Sequence, residues 1–125
     1  MIIDFHDDYL DIDLPKLESS LNPLEFEQLL AVFDREIERI KKNPNNAALC
    51  KYPPLSEERY RKRKFHSEWN PETRQKADMR LLYRLVNNED EDILQLLGVG
   101  FRHIGRPTLY DLASLRKEED YSQKK

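Results

Sequence analysis

Nine bases fall within residues 59–84, at Arg59, Arg61, Lys62, Arg63, Lys64, Arg74, Lys76, Arg80 and Arg84, against only Glu68, Glu72 and Asp78, a local charge of +6. Side chains of this kind bind polyanions, because ammonium and guanidinium groups supply both charge and donors to phosphate oxygens. A second group, Arg102, His103, Arg106 and Tyr110, follows an apolar run that Gly98 and Gly100 punctuate. That placement delivers polar side chains from a strand into a loop, where functional chemistry concentrates. His66 and His103 add imidazoles whose charge changes near neutrality. Trp69 has two readings, a stacking platform for a base or an anchor for its loop, and the anchor is preferred because no aromatic partner stands nearby.

The remaining composition bounds the molecule. Residues 1–30 hold eight acids against Lys16 alone, a local charge of −7, so the net −3 hides two opposed blocks. An acidic segment over residues 1–14 could therefore cover Lys62 and Lys64. A length of 125 residues fits one domain, and with 38% hydrophobic and 36% charged residues its core should be small and its surface heavily ionised. Cys50 stands alone, which excludes an intrachain disulfide and reads as a small buried or half-buried residue. His6 lacks partners at a metal-ligand spacing and reads as a surface residue. The longest apolar run, residues 29–33, is too short for a bilayer, and the N-terminus is acidic where a signal peptide would be basic. A cytoplasmic protein with no membrane segment is the expectation.

The elements that must position these residues are partly visible. In residues 79–86, Arg80, Leu82 and Arg84 alternate with Leu81, Tyr83 and Leu85, the pattern of a strand with one buried and one partly wet face. Residues 87–92 read as a turn and 93–99 as a second strand. Asn22, Pro23 and Glu25 form a helix start, after which Phe26, Leu29, Leu30, Phe33, Ile37 and Ile40 recur at helical spacing up to Asn43-Pro44. Residues 15–21 suit a short helix and 1–14 a short strand at each end. Residues 59–66 read as an edge strand with Lys62, Lys64 and His66 on one face. Residues 67–78 read as a loop, 109–115 as a helix capped by Thr108 with Leu109, Leu112 and Leu115 inward, and 117–125 as a disordered tail.

With MRLLYRL, then ILQLLGVGFR, then LYDLASLR, the chain resembles the RelE/ParE superfamily of small bacterial toxins. The motif positions are Arg80 with Tyr83, Gly100 with Arg102, and Tyr110. The resemblance implies a single α+β domain, a small antiparallel sheet packed against two N-terminal helices. It further implies a metal-independent, cofactor-free endoribonuclease that cuts mRNA on the ribosome and is inhibited by a cognate antitoxin protein. Carried over, it makes Lys62 or Lys64 the base, Arg80 and Arg102 the phosphate clamp and Tyr110 the group that orients substrate or transfers a proton, with His66 and His103 as alternatives. Arg59, Arg61, Arg63, His66, Trp69, Arg84, His103 and Arg106 are the expected nucleic-acid contacts. Two competing functions share this pattern: a catalytically silent ParE-like module that binds DNA gyrase, and a plain nucleic-acid-binding protein.

Overall fold

The computed structural model describes residues 1–72, 74–102 and 107–121. Its longest element is helix α2, Pro23–Lys42, and its start is chemically determined. The Asn22 side chain accepts from Glu25 N at 2.8 Å while the Glu25 carboxylate accepts from Asn22 N at 3.0 Å, which satisfies two amides that the first turn leaves free. Leu29, Val32, Phe33, Ile37 and Ile40 are buried along one stripe, and Lys41 and Lys42 sit at the end where the helix dipole favours cations. Helix α1, Leu14–Ser20, precedes it and inserts Leu17 into the same core.

That stripe packs on a five-stranded mixed sheet, so the architecture is α+β. The central hairpin consists of β4, Met79–Asn87, and β5, Asp92–Phe101, as the alternation and turn residues led us to expect. Strand β3, Arg61–Phe65, lies antiparallel to β4. Two features depart from the expected antiparallel sheet. Strand β1, Ile2–Phe5, pairs parallel with β5, and the short β2, Ala48–Leu49, covers Arg61 and Lys62, so β3 is an edge only beyond them. The strand order β1-β5-β4-β3-β2 also puts the acidic N-terminal segment three strands from β3, roughly 14 Å at sheet spacing, so it does not cover Lys62 and Lys64.

Both faces of the hairpin are covered, where a half-wet face was expected. Leu81, Tyr83, Leu94, Leu96 and Val99 join the helical core. On the other face Leu82 and Leu97 form a second core with Cys50, Leu55, Tyr60, Ala113 and Tyr121. This second core comes from the chain's last residues and from the 50–60 loop. It corrects three expectations. His6 is fully buried, accepting from Asp8 N through Nδ1 at 3.1 Å, donating from Nε2 to Lys117 O at 2.8 Å, and meeting the Tyr121 ring edge-on. Residues 117–121 are not a loose tail: Glu118–Asp120 make a 3₁₀ turn and Tyr121 is buried with its hydroxyl 2.8 Å from that of Tyr60. Helix α3, Leu109–Ala113, ends early and leaves Leu115 78% exposed instead of inward. Among the described residues no helix is long and apolar enough to cross a membrane.

The far end of residues 1–14 is helical where a strand was expected, a π-helical turn at Tyr9–Asp13 that runs into α1. It brings Asp13 beside β5. Asp13 accepts two bonds from Arg116 at 2.7 Å, Oδ2 also accepts Val99 N at 3.0 Å, and Arg116 Nη1 donates to Leu97 O at 2.8 Å. The register slips here, between Leu82 and Tyr83 of β4, so β5 carries an extra residue. A Cβ on Gly98 would stand 2.8 Å from Arg116 Nη1 and 3.1 Å from Asp13 Oδ2, so only glycine leaves room.

Removing one member of this buried pair leaves the other charge uncompensated. Arg116→Met should lower stability by about 3–5 kcal/mol. The double variant Asp13→Leu with Arg116→Met should lose less than either single variant, and urea-denaturation midpoints read both outcomes. An unchanged midpoint in Arg116→Met would show that the pair carries no structural weight.

Candidate active site

Strand β3 separates its cations by alternation. Arg61 and Arg63 face α2 and have protein partners: Arg61 Nη1 donates to Ala47 O at 2.7 Å and Arg63 Nε to the buried Glu36 carboxylate at 3.0 Å, which Arg39 also contacts. Lys62 and Lys64 face the opposite side, where they pair in register with Leu82 and Arg80, and Arg80 pairs in turn with Gly100. Lys64, Arg80 and Gly100 therefore lie in one row across three strands. The lysines sit on the face that α3 approaches.

Gly98 lets α3 come close: a Cβ there would stand 3.2 Å from Leu109 Cδ1, while at Gly100 the same atom would be at an ordinary 3.8 Å contact distance. Thr108 starts that helix with a capping box, accepting from Asp111 N at 3.2 Å while the Asp111 carboxylate accepts from Thr108 N at 3.0 Å. Tyr110, the second residue of α3, is half-buried at the margin of the second core.

The electrostatics of this face are coherent. Burial pushes the Tyr110 hydroxyl above its ordinary pKa, and the charge and hydrogen bond of Arg80, with the charge of Arg102, pull against it. Burial likewise lowers the Lys62 ammonium, helped by repulsion from Lys51, Lys64 and Arg80 and opposed by Cys50. Arg80 is 6% exposed, and its Nη1 donates to Ala77 O and Met79 O, which hold the guanidinium in place. Arg102 is exposed, its backbone N donating to Asp78 O at 2.7 Å. Lys62, Lys64, Arg80, Arg102 and Tyr110 thus share one face, drawn from β3, β4, the end of β5 and α3. Family models, curated proteins and solved structures offer no match to this chain.

Several expected contacts lie elsewhere. Trp69 rests against α2, its ring 4.0 Å from the Arg35 guanidinium and its carbonyl accepting from Arg35 Nη1, the anchor arrangement. Arg84 stacks on the Tyr60 ring, donates to Gln95 and to Glu58 O, and approaches Glu118 at 3.4 Å, so its charge is spent inside the second core. Nε2 of His66 donates to Gln75 O at 2.6 Å within the loop. Arg59 is exposed with a φ of 63°, at the corner that turns Tyr60 into the second core. His103 and Arg106 lie outside the described residues.

The site also contains residues that the sequence reading passed over. A cavity of about 460 Å³ opens beside Lys62 and Tyr110, walled by the 50–55 loop and α3. Lys51 and Tyr52, a base next to an aromatic residue ahead of Pro53-Pro54, were the available signal. Ser67 N and Oγ both donate to the Asp78 carboxylate, at 2.8 and 2.7 Å, and close the base of the loop that leads into Met79 and Arg80. Among the described residues no three His, Cys, Asp or Glu side chains come together as metal ligands.

Removing the Lys64 charge should relieve repulsion on Lys62. Lys64→Met therefore raises the Lys62 pKa, yet leaves it below the ordinary lysine value of about 10.4 because burial persists. Side-chain NMR titration of labelled lysines measures this, and an unmoved Lys62 would show that the Lys64 charge does not act on it.

Proposed function

We propose that the protein is an endoribonuclease resembling the RelE branch of the RelE/ParE toxins, cutting mRNA by metal-independent transesterification. The observation that carries this reading is the convergence of Lys62, Arg80, Arg102 and Tyr110 on one face from four separate segments. Ribosomal action and control by an antitoxin protein that covers this face come with the resemblance and belong to the same proposal.

The chemistry fits the groups. Lys62, shifted toward its neutral form, takes the proton of a ribose 2′-hydroxyl. The 2′-oxygen attacks the adjacent phosphorus, and the bond from phosphorus to the 5′-oxygen breaks. Arg80 and Arg102 bind the non-bridging oxygens, whose charge grows in the phosphorane. Tyr110, which burial keeps protonated, gives its proton to the departing 5′-oxygen. The products are a 2′,3′-cyclic phosphate and a 5′-hydroxyl end, with all atoms and protons accounted for.

A second reading, nucleic-acid binding without cleavage, draws on one observation: Arg80 Nη1 is already committed to two backbone carbonyls, which leaves fewer donors for a phosphate.

The two separate cleanly. Incubation with translating ribosomes and mapping of the message ends should reveal 5′-hydroxyl termini, and Arg80→Ala should lower kcat/KM by about 10²–10³. The rate should climb with pH as Lys62 loses its proton, with a midpoint below about 10.4, and that limb should vanish in Lys62→Ala. Intact RNA together with steeply salt-dependent binding would instead establish the second reading.

A further inference from the structure

We propose that the cavity between the 50–55 loop and α3 is a nucleobase subsite, selective for bases that carry an exocyclic amino group. The inference rests on the ribonuclease reading above and adds its substrate preference. The cavity's volume, about 460 Å³, falls in the range of small-ligand sites, roughly 300–1,000 Å³. Its lining includes Tyr52, which is 78% exposed, and Lys51. An aromatic ring left in water at the mouth of a cleft offers a stacking face that any base can cover.

Position ties the cleft to the phosphate site. Lys62 and Tyr110 belong to both, so a phosphodiester held at Arg80 and Arg102 brings a neighbouring base to the cleft mouth. Lys51 belongs to the same lining, and its charge acts on Lys62. Two cations and an aromatic face in one cleft are the parts of a single-strand binding track.

The polar lining decides which base edge fits. Ser114 Oγ spends its proton on Tyr110 O at 2.7 Å and therefore presents lone pairs. Asp111, whose carboxylate accepts from Thr108 N, lines the same wall. The Ser114 acceptor favours the amino groups of adenine, cytosine and guanine over the carbonyl at the corresponding position of uracil.

The test is binding of fluorescent, 2′-O-methylated hexamers, which cannot be cleaved, at one fixed salt concentration. Adenosine and cytidine hexamers should bind about tenfold tighter than uridine or abasic hexamers. Tyr52→Ala should weaken every base-carrying hexamer relative to the abasic one, while Tyr52→Phe binds as the parent does, because stacking needs the ring and not the hydroxyl. Arg80→Ala should weaken all hexamers alike. If Tyr52→Ala binds as the parent does, or if uridine binds as tightly as adenosine, the subsite is refuted while the phosphate site stands. A parent that binds no hexamer refutes the subsite, while the ribonuclease reading stands or falls with the 5′-hydroxyl ends mapped on ribosome-bound message.

Discussion

Asp13 and Arg116 stand 103 residues apart in the chain and meet beneath β5, where each satisfies the other and both satisfy the backbone. Burying two charges is costly, and this pair is tolerable because its bidentate geometry is joined by one backbone donor and one backbone acceptor. The position matters more than the energy. Parallel pairing of β1 ends where His6 N reaches Leu96 O, and from there Asp13 serves the strand edge in place of a neighbour. The slipped register, the need for glycine at 98 and the close seating of Leu109 all meet at this point. Tyr110 takes its place from that seating.

The second core links this architecture to chemistry. Its apolar members, Leu82, Leu97, Cys50, Leu55 and Tyr60, lie on the same face of the sheet as Lys62 and Arg80. Cations at the rim of an apolar layer lose solvation, and the loss acts on each group according to its charge: it pulls the Lys62 ammonium toward neutrality and holds the Tyr110 phenol protonated. Packing that stabilises the fold thus also shifts the proton affinities of these two groups in opposite directions.

What could be read in the sequence was local. Helix α2 is written in Asn22, Pro23, Glu25 and the stripe from Phe26 to Ile40, and the hairpin in the period-two pattern around Tyr83. The face shared by Lys62 and Lys64 follows from alternation alone. What could not be read depends on distant partners. Arg61, Arg63 and Arg84 look like Lys62 in a list of cations, yet Ala47, Glu36 and Gln95 claim them from other segments. His6, among aspartates, has no local sign that Tyr121 will cover it. The parallel direction of β1 was equally hidden, since its partner lies some ninety positions on.

The docking of Tyr121 against Tyr60 and His6 makes the fold depend on contacts between distant parts of the chain. As the chain emerges from synthesis, α2 has its caps and stripe early. The partners of β1 and Asp13, with Leu97, Ala113 and Tyr121 of the second core, belong to the last third of the molecule, and such long-range closure is slow. Until Arg116 and Tyr121 are in place, α3 has neither its salt-bridged floor nor its apolar backing, and Tyr110 has nothing to hold it beside Arg80. A chain cut before Arg116 would carry the same lysines and arginines without the contacts that hold α3 against the sheet.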